Sequence, residues 1–552
     1  MKPYFITTAI DYTNAPPHIG HAYEKILADV LARYQRLRGR DVFFLTGVDQ
    51  HGQKVQQAAE KQGISPQEFA DGVSEKFLEL WRQLSVSYDG WAATTHPQHH
   101  AVVQKILTQL LAEGWLYKAS YQGYYSIRQE QFLTDKERGE DGEFGTEWGE
   151  VVFLEEENWY FRLSQCREWL AQFLETHPDF VSPSFRQTEL KNAAAKITGD
   201  LCISRPKSRL AWGIELPFDK NFVTYVWFDA LINYISFAGY GVDREEGIKE
   251  LQEQKNPDDK NKTALEGLLG SSEKANYELR TKNYELVPNF SALWPCDHHV
   301  IGKDIMVPAH GVYWPCMLHA MGFSEAQMPH LLVHGFWTMK GEKISKSTGN
   351  VFDLVETTTR YGPSALRYYL MRDAVMGRDA DFSEERLLSR YHSELSNGLG
   401  NLLNRTLSMV QRYRPEGLHA VALPEECSQL LAENISSVKN YCAQMEASQI
   451  HAGLEVMVEI INRANLFVDV TAPWKMAKDP EQAKRLDAVL STLLQSARIA
   501  ATLLLPVAPG AAGEVLGQLK MEPLSLVGEI TIPALPEKYC AATPTPAFPR
   551  ME

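Results

Sequence analysis

Cysteine is scarce and scattered in this chain. The seven present, Cys166, Cys202, Cys296, Cys316, Cys427, Cys442 and Cys540, are odd in number and never fall at C-x-x-C spacing. They give no disulfide framework and fit reduced thiols in the cytoplasm. Long apolar runs are missing as well. The opening MKPYFITTAIDY has no signal-peptide core, and IAATLLLPVAPGAAG is short and broken by Pro506 and Pro509, so no membrane segment is expected. Positive charge is in deficit: 55 Lys and Arg against 70 Asp and Glu leave a formal charge of −15. That balance argues against indiscriminate binding to nucleic acid or an anionic membrane and leaves room only for local basic clefts.

What is present is a chain of 552 residues, 44% of them apolar, enough to bury several cores in three or four units. KPYFITTAI has the pattern of an opening strand, followed by a turn with Pro16 and Pro17 and a helix from about Ile19 to Arg38 that stops at Gly39. Ile26, Leu27, Val30, Leu31, Tyr34 and Leu37 recur at helical spacing and predict one buried face. DVFFLTGVD, residues 41–49, is apolar almost throughout, as a strand covered on both sides is. The β-α-β order predicts an α/β fold, a Rossmann-like doubly wound parallel sheet.

The pattern then divides. Residues 1–114 form the first half of the sheet domain, and 115–220, rich in aromatics and short strands, an inserted connective domain. Residues 221–330 form the second half, with a charged excursion at 242–288, exposed and helical or partly disordered. Residues 331–382 hold an apolar strand, a turn at Gly341 and a loop rich in Lys and Ser. Long amphipathic helices fill 383–552, a helical bundle with a tail. There is no internal repeat.

His18 and His21 stand three residues apart at the mouth of the first helix. A helix N-terminus favours an anion, and two imidazoles one turn apart add donors on the same face, so a phosphate chain suits the site. Two exposed helix-start residues are the plainer reading of such a pair taken alone. KISKS, Lys343 to Ser347, puts two ammonium groups and two hydroxyls on a loop after a strand, which suits a departing pyrophosphate. A solvated loop is its plainer reading.

HIGH and KISKS, in this order at opposite ends of a split parallel-sheet domain, resemble the two signatures of class I aminoacyl-tRNA synthetases. With AIDYTNAPPHIGHAY, FLTGVDQHGQK, YVWFDALINYISF, HHVIGKD, LGNLLNRTL and TAPWKMAK, the chain is similar to the methionyl-tRNA synthetase family from near residue 4 to about residue 510. The resemblance implies Mg-ATP-dependent activation of methionine and its transfer to tRNA(Met). Asn14, His18, Gly20 and His21 would then bind ATP, with Lys346, supported by Lys343 and Ser345, on the leaving pyrophosphate. Asp49 would take the α-amino group, Ile10 and Tyr12 would line the pocket, and Trp227, Ala230, Tyr234 and Ile235 would close on the side chain. Asp304 and His310 match a further part of that site, although the interval between them is one residue longer than the family's pattern. Asn401, Arg405 and Trp474 would read the CAU anticodon, and residues 331–382 would contact the acceptor stem.

Some of these residues carry their own argument. Asp49 ends an apolar strand at the carboxyl edge, where doubly wound sheets bind ligands; the alternative is an N-cap for the helix that follows. Trp227, Ala230 and Tyr234 suit a flexible thioether, or are plain core. Asn401, Arg405 and Trp474 suit unpaired bases; the alternatives are an exposed helical face and a bundle core residue.

The chain departs from the family in further respects, one of them the greater length of the charged excursion. Where many members carry zinc-binding cysteine pairs, it has Ser126 and Gln129, then Gly145 and Trp148, so no structural zinc is expected. After the bundle there is a short tail in place of the extra tRNA-binding, dimer-forming domain that some members carry, so a monomer is expected. Rival readings are a class I synthetase for another amino acid, a tRNA-binding relative without catalysis, and nucleotidyl transfer to a small molecule, which leaves the bundle unexplained.

Overall fold

A computed structural model of the chain describes residues 2–126, 131–133, 135–139, 141–197, 199–242, 289–339, 341–343 and 353–551. Residues 243–288 of the charged excursion, Gln129, Ser345 and Lys346 lie outside the described residues. The chain forms two compact units: residues 1–16, 45–77 and 88–332, and residues 17–44, 78–87 and 333–552.

The first unit carries the parallel sheet, in the order Asp11–Tyr12, Val42–Asp49, Tyr4–Thr8, His298–Gly302, Leu331–His334, Val181–Ser182, with Gly90–Ala93 beside Val42–Asp49. Every residue of Tyr4–Thr8 is buried, as expected of a strand with both faces covered. Gly47 is required by the next pairing, because a Cβ there would lie 2.0 Å from the Ala92 carbonyl oxygen. The segment expected to be an insertion also gives the sheet its edge strand, Val181–Ser182, paired with Leu331 and Leu332.

Within that segment Leu116–Ser126 and Val151–Phe161 pair antiparallel along their whole length. At the tip, the Arg138 guanidinium lies 4.7 Å from the Tyr124 ring and 4.4 Å from the Phe144 ring, and donates to the Gly142 carbonyl at 2.6 Å. The Ser126 hydroxyl donates to the Trp148 carbonyl at 2.5 Å. A serine committed to a carbonyl, a glycine and an indole do not fit a tetrahedral zinc site; at this tip a cation lies against two rings that touch each other at 5.3 Å.

The second unit holds the helix Ile19–Leu37, a small sheet of Trp337–Met339, Glu342–Lys343 and Ala380–Phe382, and the long helices Leu354–Asp373, Asn401–Tyr413, Glu425–Glu446, Ile450–Thr471 and Ala483–Leu504. Ala483–Leu504 is buried on all sides from Leu486 onward and forms the bundle centre. No helix among the described residues is long and apolar enough to cross a membrane.

Ile19–Leu37 ends as expected, with Gly39 at φ 76°, but it has more than one buried face. Glu24, Lys25, Asp29 and Gln35 are buried along with its apolar residues, and each polar group has a partner, as burial of charge demands. Lys25 pairs with Glu24 at 2.9 Å. Asp29 accepts from Arg33 at 2.8 Å and from Arg367 at 2.6 Å. Gln35 reaches Glu446 at 3.3 Å. The helix thus belongs with the bundle's unit.

Candidate active site

In the first unit the strand Val42–Asp49 delivers Asp49 to the carboxyl edge of the sheet, where it is buried and faces Tyr12 across the parallel ladder. Its Oδ1 accepts from the His51 N–H at 3.3 Å and from the Thr94 hydroxyl at 3.4 Å. The helix Gln53–Gln62 starts from Gly52 with no side-chain cap, so Asp49 is not its N-cap. Gly52 has φ 108°, and a Cβ there would lie 2.5 Å from the Tyr12 hydroxyl oxygen; glycine lets Tyr12 lie against this turn. Ile10 is half-buried just before Asp11–Tyr12.

The helix Val226–Ser236 presents Trp227, Ala230 and Tyr234 at positions i, i+3 and i+7 of one face, and Ile235 is buried beside them. The Tyr234 hydroxyl lies 2.7 Å from His310 Nε2, and the Trp227 ring stands edge-on to that imidazole at 6.3 Å. His310 Nδ1 lies 2.9 Å from the Ile305 carbonyl. A carbonyl only accepts, so Nδ1 carries the proton and Nε2 accepts from Tyr234. The interval from Asp304 to His310 runs from the turn Lys303–Ile305 into the segment Met306–Tyr313, whose helical course is broken at Val307 (φ −115°, ψ 127°). Asp304 itself is exposed, on the turn Lys303–Ile305.

Two histidine clusters that sequence reasoning missed support this wall. His299 Nε2 accepts from the Trp314 indole at 3.2 Å, and Nδ1 donates to the Thr7 hydroxyl at 2.5 Å; the Tyr234 ring lies 4.2 Å away. Burial, then His310 and His330, hold its pKa well below the usual value, so it stays neutral. In the second cluster Asp229 lies between His51 and His99, at 2.7 Å and 2.8 Å. Burial would raise its pKa, but His51 and then His99 hold it well below the carboxylate range. The Trp212 indole donates to the Gln50 carbonyl at 2.6 Å, and its ring lies 5.4 Å from His51. The doublets HH at 99–100 and 298–299 were the available signal.

In the second unit His18 is the N-cap of Ile19–Leu37, and Pro16 and Pro17 precede the cap rather than open the helix. His18 Nδ1 accepts from the Gly20 N–H at 3.1 Å, and His21 Nδ1 from the His18 N–H at 3.2 Å. The rings stack at 3.7 Å. With both Nδ1 atoms accepting, a neutral ring carries its proton on Nε2. Burial, then His18 and Lys25, keep the His21 pKa well below the usual value. Beneath it, Glu24 accepts from Lys25 at 2.9 Å and lies 3.1 Å from His334, on the strand that leads to the Lys- and Ser-rich loop. Lys343 closes the pair Trp337–Met339 with Glu342–Lys343. Asn14 is exposed, before the helix.

On the bundle, Asn401 donates to Asn465 at 3.4 Å and Arg405 to Asp469 at 2.7 Å. Trp474 is 39% exposed, with Leu466 at 62% and Val470 at 73%, so Trp474 is a surface aromatic and not a core residue. Among the described residues, no group of three or more His, Cys, Asp or Glu is placed to hold a metal ion.

The sequence matches the family described as tRNA synthetases class I (M) over residues 4–143 and 148–407. The methionine–tRNA ligase of Thermotoga maritima is 37% identical over 523 residues, covering 94% of this chain and 75% of that one. That of Caldanaerobacter subterraneus subsp. tengcongensis is 36% identical over 522 residues, covering 94% and 74%. Among solved structures, Mycobacterium tuberculosis methionyl-tRNA synthetase in complex with methionyl-adenylate superposes with a TM-score of 0.83 at 33% identity, covering all of both chains. Its apo form gives a TM-score of 0.80 at 30% identity.

Proposed function

The chain belongs to the methionine branch of the class I tRNA synthetases, and from that premise we propose that it joins methionine to the 3′ end of tRNA(Met) in two steps. Methionine and ATP give methionyl-adenylate and pyrophosphate; the terminal ribose of the tRNA then takes the methionyl group and AMP leaves. The work of the protein is positioning and electrostatics, with no covalent enzyme intermediate.

Asp49 takes the methionine ammonium, and Ile10, Tyr12, Trp227, Ala230, Tyr234 and Ile235 surround the thioether, with Asp304 and His310 completing that side. His18 and His21 donate from Nε2 to the phosphates of ATP, beside Asn14 and Gly20, while the methionine carboxylate attacks the α-phosphorus. Lys346, with Lys343 and Ser345, holds the departing pyrophosphate. Magnesium would be held mainly by the ATP phosphates, where it would offset their charge. Asn401, Arg405 and Trp474 read the CAU anticodon. The protein acts as a cytoplasmic monomer, a compartment that suits its seven free thiols.

The observation that carries the amino-acid assignment is the ladder pairing of Tyr12 with the buried Asp49: an anionic acceptor for an ammonium next to an aromatic surface for a thioether. ATP–pyrophosphate exchange with each of the twenty amino acids tests it. Exchange with methionine alone is expected. Exchange with another amino acid keeps the class and discards this pocket, and none at all in folded protein leaves a tRNA binder without catalysis.

A further inference from the structure

Asp229 has no part in the roles above, yet it is the most completely enclosed carboxylate near the amino-acid wall. Asp229, His51 and His99 are each no more than 3% exposed. The carboxylate accepts on both oxygens, from His51 Nδ1 at 2.7 Å and from His99 Nε2 at 2.8 Å, and His99 Nδ1 meets the Ser236 hydroxyl at 2.8 Å. The partners come from separate parts of the fold. His51 lies in the turn between Asp49 and Gly52, His99 in the helix Pro97–Ala112, and Asp229 in the helix that bears Trp227, Ala230 and Tyr234.

We infer that Asp229 is a positioning residue for amino-acid specificity: through His51 it clamps the turn of Asp49 to the helix of Trp227, Ala230 and Tyr234. The group that takes the ammonium and the wall that takes the side chain then keep a set separation, which decides the side-chain length that fits. His99 holds the second oxygen and stops the carboxylate from turning away. Two charge-assisted bonds in a dry site are strong enough to impose that geometry. The inference rests on methionine being the substrate.

The test measures the Michaelis constants for methionine and for ATP by pyrophosphate exchange, with melting temperature, in the full chain and in Asp229→Asn, His99→Gln and His99→Phe. Glutamine replaces the Nε2 donor of His99; phenylalanine does not. Expected are a rise of about 10- to 100-fold in the methionine constant for Asp229→Asn with the ATP constant within about twofold, a smaller rise for His99→Phe, and near-parental behaviour for His99→Gln. Equal rises in both constants, or no rise for methionine, would overturn the inference. If Asp229→Asn does not fold, the His99 pair decides: an unchanged methionine constant in His99→Phe overturns it. Lack of methionine exchange in the parent protein would instead remove the functional reading itself.

Discussion

The Tyr234 hydroxyl donates to His310 Nε2 across 2.7 Å while His310 Nδ1 donates to the Ile305 carbonyl, so backbone geometry sets the tautomer of a buried imidazole beside Trp227. Tyr234→Phe removes the donor and leaves Nε2 without it. The methionine Michaelis constant should rise about 5- to 30-fold, the loss of one buried hydrogen bond, with folding nearly intact. A parental constant would show that the orientation of His310 is of no consequence for binding.

His21 and His299 titrate well below the usual histidine value, and burial, then His51, brings His100 down to about 4. Each binds its proton more readily in the unfolded chain. The linked stability is therefore complete above about pH 6.5 and is lost as pH falls toward the folded values. Melting temperature should stay level from about pH 7 to 8 and fall between about pH 6.5 and 4.5. His100→Gln should flatten part of that slope; a slope on the alkaline side only would contradict the assignment.

Arg367 and Asp29 are both buried, and the guanidinium also donates to the carbonyls of Leu84, Pro506 and Val507. Arg367→Met should cost about 3–5 kcal/mol in urea unfolding. Added salt should not change that loss, because a buried pair is poorly screened.

Trp474→Ala and Arg405→Ala should leave pyrophosphate exchange within about twofold and reduce charging of tRNA(Met) at least about tenfold, the worth of one lost base stack or charged contact. Equal loss in both assays would assign these residues to folding.

Sequence pattern disclosed the parallel sheet through the apolar runs of its first strands, and HIGH and KISKS could be picked out because such motifs are short and local. It failed where partners are far apart in the chain. The spacing of Ile26, Val30 and Tyr34 predicted a single apolar face for Ile19–Leu37, and nothing in the pattern tells that Asp29 turns inward to meet Arg367, 338 residues away. Asp229 likewise lies 178 residues from His51, and nothing in the local pattern of its helix points to that partner. Trp474 could not be assigned to surface or core from APWK, since burial there depends on the αL turn at Ala472.

The Arg367 guanidinium has a consequence for dissecting the chain. It fastens the helix that presents His18 and His21 to a turn near residue 507, so the histidine signature and the late helices are not modules to be cut apart and exchanged. A fragment ending before Arg367 would keep Asp29 with Arg33 and Ser87 but lose the deeper cation. A graft of a foreign bundle would need to bring an arginine and two suitably aimed carbonyls with it.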